Sequence, residues 1–437
     1  MIISNRFQFM NYVKKILSTN YKGPSYYPLI LGILIFTFIR VIVWLQFDFS
    51  DTLSGDATYY LSVAENILKY GQHLDPIDSL YSYRAPGYSF FLTLLLYCDV
   101  PINALNIYII QSLILFISYI TVFFLVKNIK PKSSGVIFLL LCIVPFDAVY
   151  NGKVISETLL SCFILLSFVL ILFFHKRAFY GFIFPAILLG FLTLTKDIFL
   201  FLPFFIAAFM LFKKSQLKYI VLFILTYCTV ISPWIIRNAT LPTDSFVGIS
   251  QGIFWPNLWV GQWLQDDVQQ SSAQSQGFIQ KDQIQMFEEK WKYKIQNLDF
   301  WREEALSNFK NMPLKILSNW TYRIPKMWIG TRTDLFKMRF DTGSFYWYLS
   351  KLSFFAMNII ISILFFTQLF IGILRRDRAA FLSLIFVIYL VAIYMPFYNI
   401  ETRYSQPILG IMLFYLGFSR IIIKDIINNT RSRFQRS

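Results

Sequence analysis

The sequence predicts an all-α polytopic membrane protein, and three observations carry that reading. Of 437 residues, 56% are hydrophobic and 15% charged, with a mean hydropathy of +0.55, which is more apolar surface than one soluble core can bury. Runs such as Ala104 to Val126, Ser156 to Phe174 and Tyr219 to Ile236 approach or exceed the roughly 20 apolar residues that carry a helix across a ~30 Å hydrocarbon layer. The Lys and Arg behind the net charge of +16 sit in short clusters between apolar runs, not on one basic face with interleaved aromatics. That is the positive-inside pattern of a membrane protein, and it argues against a nucleic-acid partner.

In chain order the apolar runs give about ten spans: 28–47, 104–126, 134–150, 156–174, 178–195, 197–212, 219–236, 345–374, 379–397 and 404–423. The first follows a basic stretch holding Arg6, Lys14, Lys15 and Lys22, but it is too long for a signal peptide and no small-residue cleavage site follows. It reads as a retained span. Residues 86–98 are apolar but number only about thirteen, which suits a buried or interfacial helix better than a crossing. With that run not crossing, every basic loop falls on one side: Lys14 and Lys15; Lys127, Lys130 and Lys132; Lys176 and Arg177; Lys213, Lys214 and Lys218; Arg375, Arg376 and Arg378; and the tail of Lys424, Arg431, Arg433 and Arg436. That side is expected to be the cytoplasm, with both termini in it and the chain multi-pass in the cytoplasmic (inner) membrane.

The outer side then receives the loop 48–103, turns near 151–155 and 195–197, a long insert 238–344 and the turn 398–403. This divides the chain into a transmembrane module 1–237 that includes the first outer loop, an extracytoplasmic helical insert 238–344, and C-terminal spans with a cytoplasmic tail, 345–437. The insert is polar at 265–285, then reads as helical through Asp282 to Gln296 and Phe300 to Asn311, ending at Pro313. No internal repeat is evident, which weakens a transporter reading. The cysteines Cys98, Cys142, Cys162 and Cys228 lie in or beside apolar runs without C-x-x-C spacing, so neither disulfides nor a thiolate metal site is indicated. His73 and His175 are the two histidines, the second expected to be cytoplasmic, so a His-rich zinc site is unavailable; a divalent metal is not indicated, and no cofactor is assigned.

Function is sought on the outer face. Ser54 to Gly71 has the spacing of an amphipathic helix lying on the membrane, with Ser54 as N-cap, Gly71 as its stop and Asp56 in the first turn, where the helix dipole keeps a carboxylate ionised. Tyr81-Ser82-Tyr83-Arg84-Ala85-Pro86-Gly87-Tyr88 puts a cation and tyrosines at the mouth of the short apolar helix. Glu157 starts a span, Lys196 and Asp197 tip a hairpin, Arg237 and Asn238 close another span, and Glu401-Thr402-Arg403-Tyr404 opens the last one. Arg40 lies inside the first span near its outer end, where an ionisable group is costly and usually functional. Charge parity brings all of these to one depth on one face. Two readings are open. Mixed charge suits chemistry on a lipid phosphate, with cations holding the phosphate and a carboxylate accepting the proton of an incoming hydroxyl. The same residues also fit ion pairs between helix ends, with an interfacial aromatic belt and a snorkelling Arg84.

In order along the chain, Gly55-Asp56-Ala57-Thr58-Tyr59-Tyr60, Arg84-Ala85-Pro86-Gly87-Tyr88, Thr195-Lys196-Asp197, Pro233-Trp234-Ile235-Ile236-Arg237-Asn238 and Glu401-Thr402-Arg403-Tyr404 resemble the C-type membrane glycosyltransferases. Within that family they are most similar to bacterial relatives of the protein O-mannosyltransferases and of the lipid A aminoarabinose transferase. The resemblance implies a GT-C-like fold and an inverting transfer of a sugar from a polyprenyl-phosphate donor to a lipid, glycan or protein acceptor of the cell envelope. It implies Asp56 as catalytic base and Glu157 as a second acidic residue. Arg84, Arg40, Lys196, Arg237 and Arg403 are the expected phosphate-binding cations, and Tyr59, Tyr60, Tyr83, Tyr88 and Glu401 the expected contacts of sugar and lipid. Arg84 stands where aminoarabinose transferases carry a Lys, an exchange that keeps the charge and changes its geometry. Ala57 stands where the family often has a second acid, which removes the usual ground for a metal. A flippase or polymerase of lipid-linked oligosaccharides, or another membrane transporter, is the alternative, since it would share the spans and the basic loops.

Overall fold

The computed structural model describes residues 26–53, 55–74, 84–174, 180–241, 246–250, 254–262, 298–333, 336–396 and 402–419. Helix α1 (Tyr27–Gln46) starts with Pro28 in its first turn, where a missing N–H costs nothing, and runs directly into strand β1 (Phe47–Asp48). Next follow α2 (Asp56–Tyr70) and α3 (Gly87–Tyr97), packed on each other through Tyr60, Val63, Ala64, Tyr88 and Leu92. Helix α2 stops at Gly71, whose φ of 68° is the left-handed conformation expected of it. The expected cap Ser54 lies outside the described residues, and the N-cap position is Gly55, with φ 65°.

Helix α4 (Ala104–Lys127) is capped by the Asn103 side chain, which accepts from the Asn106 backbone N–H. The apolar run at 134–150, expected as one span, is two helices, α5 (Pro131–Ile143) and α6 (Phe146–Asn151). Pro145 causes the break: it donates no backbone hydrogen bond and drives Val144 out of the helical region, to ψ 123°. Next come α7 (Glu157–Phe174), α8 (Tyr180–Thr195), a 3₁₀ turn Asp197–Phe199, α9 (Leu202–Phe212) and α10 (Leu217–Ala239). In the insert, α11 (Phe254–Gly261) and α12 (Leu298–Asn311) close a small core around Trp259 and Trp301, whose ring centroids are 5.0 Å apart. The stretch Asp282–Gln296 lies outside the described residues. Pro313 does not end the helical part but begins α13 (Pro313–Arg323), the position in a helix that proline favours.

Strand β2 (Lys337–Met338) returns to the C-terminal end of α1 and pairs with β1 in antiparallel register, Phe47 opposite Met338 and Asp48 opposite Lys337. The last helices are α14 (Phe345–Leu374), α15 (Arg378–Tyr394) and α16 (Leu409–Phe418), the last preceded by a 3₁₀ segment, Thr402–Ile408. Helix α5 lies in the middle, in contact with α1, α4 and α16, while α7 packs on α8 and α8 on α10.

Among the described residues, α1, α4, α10 and α14 are each long and apolar enough to cross a membrane unaided, and the remaining apolar helices are shorter. The outward side chains are apolar as well: Leu34, Leu45, Leu225, Ile363 and Phe370 are all about 60% exposed. Such a surface belongs in lipid, where helices satisfy their own backbone, and the chain is an integral membrane protein.

Candidate active site

Asp56 is the first residue of α2, directly after Gly55, whose positive φ turns the chain into the helix. Arg84 reaches it from the start of α3, donating from Nη2 to Asp56 Oδ1 at 2.8 Å. Arg84 is held at both ends, since its backbone N–H donates to the Tyr59 hydroxyl at 3.2 Å and its guanidinium lies 5.3 and 5.5 Å from the ring centres of Tyr59 and Tyr60. Gly87 allows α3 to start this close to α8: a Cβ there would sit 2.8 Å from the Leu194 carbonyl oxygen and 2.7 Å from the Thr195 hydroxyl. That approach sets Arg84 beside the turn that carries Lys196 and Asp197.

Arg403 enters from the 3₁₀ segment before α16. Its guanidinium Nε is 3.3 Å from Glu157 Oε1, at the first residue of α7, and its Nη2 is 3.8 Å from Asp56 Oδ2. Lys196 lies 5.6 Å from the ring centres of both Tyr394 and Tyr404, which stack on each other at 4.3 Å. Asp197 accepts a hydrogen bond from Ser250. Together these residues line a cavity of about 370 Å³, closed by Tyr60, Ile155, Phe254 and Asn257. Burial by itself would push the Asp56 carboxyl up. The charge and hydrogen bond of Arg84, with Arg403 and Lys196 behind it, outweigh that and hold it below its ordinary value. Burial likewise opposes the charge of Arg84 and of Arg403. Tyr60 and Asp56 more than offset it for the first, and Glu157, Tyr404 and Asp56 for the second, so both stay firmly protonated.

Of the residues singled out in the sequence, Asp56, Glu157, Arg84, Lys196, Arg403 and Tyr60 meet in this cavity. Others do not line it. Tyr59 supports Arg84 from behind, and Tyr88 is buried between α2 and α3 with its hydroxyl 3.3 Å from Gln111. Arg40 shares the inward face of α1 with Gly32, Phe36 and Val43, and its guanidinium stacks 3.4 Å from the Phe36 ring centre. Arg237 turns away at the end of α10, donating to Asn238 Oδ1 at 2.8 Å and to the His73 carbonyl at 3.2 Å while lying over Trp234. Tyr83 and Glu401 lie outside the described residues. Among the described residues, no three His, Cys, Asp or Glu side chains come together as a metal would require.

The structure adds what sequence reasoning missed. Tyr394, Ser250, Phe254 and Asn257 line the cavity, and none carries a motif that would single it out. A buried polar cluster includes Asp147, Arg332, Asn358 and Gln406. Asp147 had a signal, since a carboxylate inside an apolar run is a candidate for function by itself.

No protein-family model matches the chain, and no curated protein matches it in sequence. Among solved structures, it is similar to the archaeal oligosaccharyltransferase AglB from Archaeoglobus fulgidus, in complex with an inhibitory peptide and a dolichol-phosphate. The two are 12% identical with a TM-score of 0.52, over 94% of this chain and 52% of AglB. Two structures of ArnT from Cupriavidus metallidurans, one bound to undecaprenyl phosphate and one apo, align with TM-scores of 0.41 and 0.39 at 10% and 12% identity. They cover 91% and 89% of this chain and 78% and 76% of ArnT. The chain thus spans about half the length of AglB and shares its architecture, the GT-C-like fold of C-type membrane glycosyltransferases.

Proposed function

We propose that the chain is an inverting glycosyltransferase that moves a hexosyl or pentosyl group from a polyprenyl-phosphate donor to a lipid, glycan or protein acceptor of the cell envelope. One observation carries the reading: carboxylates and cations share a single cavity, and Lys196 has no carboxylate within 4.0 Å among the described residues. A cation kept there without an acidic partner suits an incoming anion. The shared fold with AglB, whose structure holds a dolichol-phosphate, supports a lipid phosphate as that anion. The isoprenoid chain needs an apolar bed, and a groove of about 370 Å³ between α1 and α14, lined by residues such as Ile39, Val43, Phe354 and Met357, offers one.

In this mechanism Asp56 takes the proton of the acceptor hydroxyl as that oxygen attacks the anomeric carbon. The bond from that carbon to the phosphate oxygen breaks, and the phosphate leaves with the electron pair. Lys196, Arg84 and Arg403 carry the developing charge, and Glu157 holds Arg403. The depressed pKa of Asp56 keeps it ionised at neutral pH, and the phosphate competes with it for Arg84, so donor binding loosens the pair that masks the base. The insert 238–344 is the natural home of acceptor choice.

The test is transfer by the purified full chain, offered a panel of polyprenyl-phosphate sugars and cell-envelope acceptor fractions. Movement of the intact donor across a vesicle membrane without sugar transfer would overturn the reading in favour of a flippase. The basic loops imply that the cavity faces outward and both termini lie in the cytoplasm. Cysteines placed in 265–275 should then react with an impermeant reagent in intact cells while those in 127–132 do not, and the reverse pattern would sink this sidedness.

A further inference from the structure

The turn that carries Arg403 is fastened from below by residues of two distant segments. Arg332, 1% exposed, follows α13 in sequence yet sits inside the bundle. Its Nε donates to Asn358 Oδ1 at 2.7 Å, and its Nη1 donates to Gln406 Oε1 at 3.0 Å and to the Thr402 carbonyl at 3.3 Å. The Gln406 amide donates in turn to Asp147, whose other carboxylate oxygen accepts from Tyr119. Asn358 donates to the carbonyls of Trp328 and Gly330 at 2.8 and 2.9 Å, and Ser405 donates to the Met327 carbonyl at 2.6 Å. The Gly330 backbone also lies close against the Thr402 side chain, since a Cβ on Gly330 would sit 2.5 Å from Thr402 Cγ2.

Residues 327–332 and 402–406 therefore form one hydrogen-bonded clamp, in which Gln406 and the Thr402 carbonyl flank Arg403 in sequence. Arg403 itself points the other way, to Glu157 and Asp56. We propose that Arg332, acting with Gln406 and Asp147, is a positioning residue that fixes the backbone of Arg403 and so sets its guanidinium in the cavity. The clamp ties the last part of the outer insert to the phosphate-binding face, which makes the end of the insert part of the site's scaffold.

The proposal rests on the reading of Arg403 as a phosphate ligand, and the test separates the two. The probe is undecaprenyl phosphate, titrated onto the purified full chain in lipid nanodiscs, for the parent and for Arg403→Ala, Arg332→Gln, the double variant and Gly330→Ala. Loss of a charge-assisted hydrogen bond should weaken binding about tenfold to a hundredfold in Arg403→Ala. Arg332→Gln should weaken it by a factor of the same order or less, and the double variant should bind like Arg403→Ala alone, because a positioning residue has nothing left to position. Gly330→Ala, which leaves every buried charge in place and pushes on Thr402, should weaken binding in the same direction and carries the test if Arg332→Gln does not fold. Parental affinity in both Arg332→Gln and Gly330→Ala, or losses that add to that of Arg403→Ala, would overturn the clamp alone. Parental affinity in Arg403→Ala would overturn the phosphate role of Arg403 and the clamp's purpose with it.

Discussion

Two clusters of charge lie on either side of the 402–406 turn, and they are built on opposite terms. In the open cavity the side chains of Asp56, Arg84 and Arg403 are 35%, 32% and 20% exposed and pair ion to ion. In the buried cluster Arg332 and Asp147 are 1% and 4% exposed and never touch, because Gln406 stands between them with its carbonyl to one and its amide to the other. The lesson lies in what each arrangement permits. Half-wet ions exchange partners at little cost, so on the proposed mechanism an arriving phosphate draws on Arg84 and Arg403. Sealed ions whose hydrogen bonds run through amides have no substitute partner, so they fix geometry and take no part in exchange.

The sharpest way to break that contrast is Asp56→Asn. If the cavity cluster is the reacting one, this variant should lose about 10²–10⁴-fold in turnover while its thermal midpoint stays near that of the parent and its affinity for undecaprenyl phosphate is equal or higher, since the anion competing for Arg84 is gone. Near-parental transfer would make Asp56 a helix-start residue and turn attention to Glu157. The buried cluster should answer in stability instead. Asp147→Ala strands the Tyr119 hydroxyl and the Gln406 amide, each an unmet buried group costing about 1–3 kcal/mol, read as a fall in the thermal midpoint in detergent. An unchanged midpoint would mean that the cluster is not sealed.

Arg84→Ala sits between these extremes. It should raise the donor Michaelis constant or lower the rate by one to two decades, about 1.5–3 kcal/mol, with the midpoint little changed. Unaltered donor kinetics in a folded variant would remove Arg84 from phosphate binding. The smallest effect is on pH dependence. Because the Asp56 pKa is held below its ordinary value, its ion pair contributes stability above the unfolded carboxylate pKa, and that contribution is lost as pH falls through the lower, folded value. The acid limb of kcat/KM attributable to Asp56 should accordingly lie below the ordinary carboxylate range of about 4 in the parent. It should move upward in Arg84→Ala, where burial is opposed only by Arg403 and Lys196. A limb that stays in place would show that Asp56 is not the group being titrated.

The helices were legible in the sequence because length and hydropathy are local. The run 345–374 is a helix over residues 345–374, and the run 86–98 is the short helix α3 (Gly87–Tyr97). The cavity was legible for a similar reason: its acids and cations stand at the ends of apolar runs, which a sequence marks locally. Arg40 and Arg237 show the limit of that argument, since depth in the membrane says nothing of azimuth, and Arg40 faces the core of the bundle. The clamp was illegible altogether. Arg332, Asn358 and Gln406 stand on three separate segments, and nothing local in the sequence marks them as partners.

The pairing of β1 with β2 bears on how the molecule is made. Phe47 meets Met338 across about two thirds of the chain, and closing so long a loop is slow to achieve, though lengthening it further adds little to the entropy lost. During synthesis α1 emerges early and packs against α5 within the next hundred or so residues, but the strand beyond it waits for residue 337. Arg403 arrives later still. A nascent chain halted before that point would already own α1, α4 and α5, with Asp56 and Arg84 exposed at an unfinished cavity. On the proposed function, competence for chemistry therefore arrives late in biogenesis, after the first spans that hold the chain in the membrane.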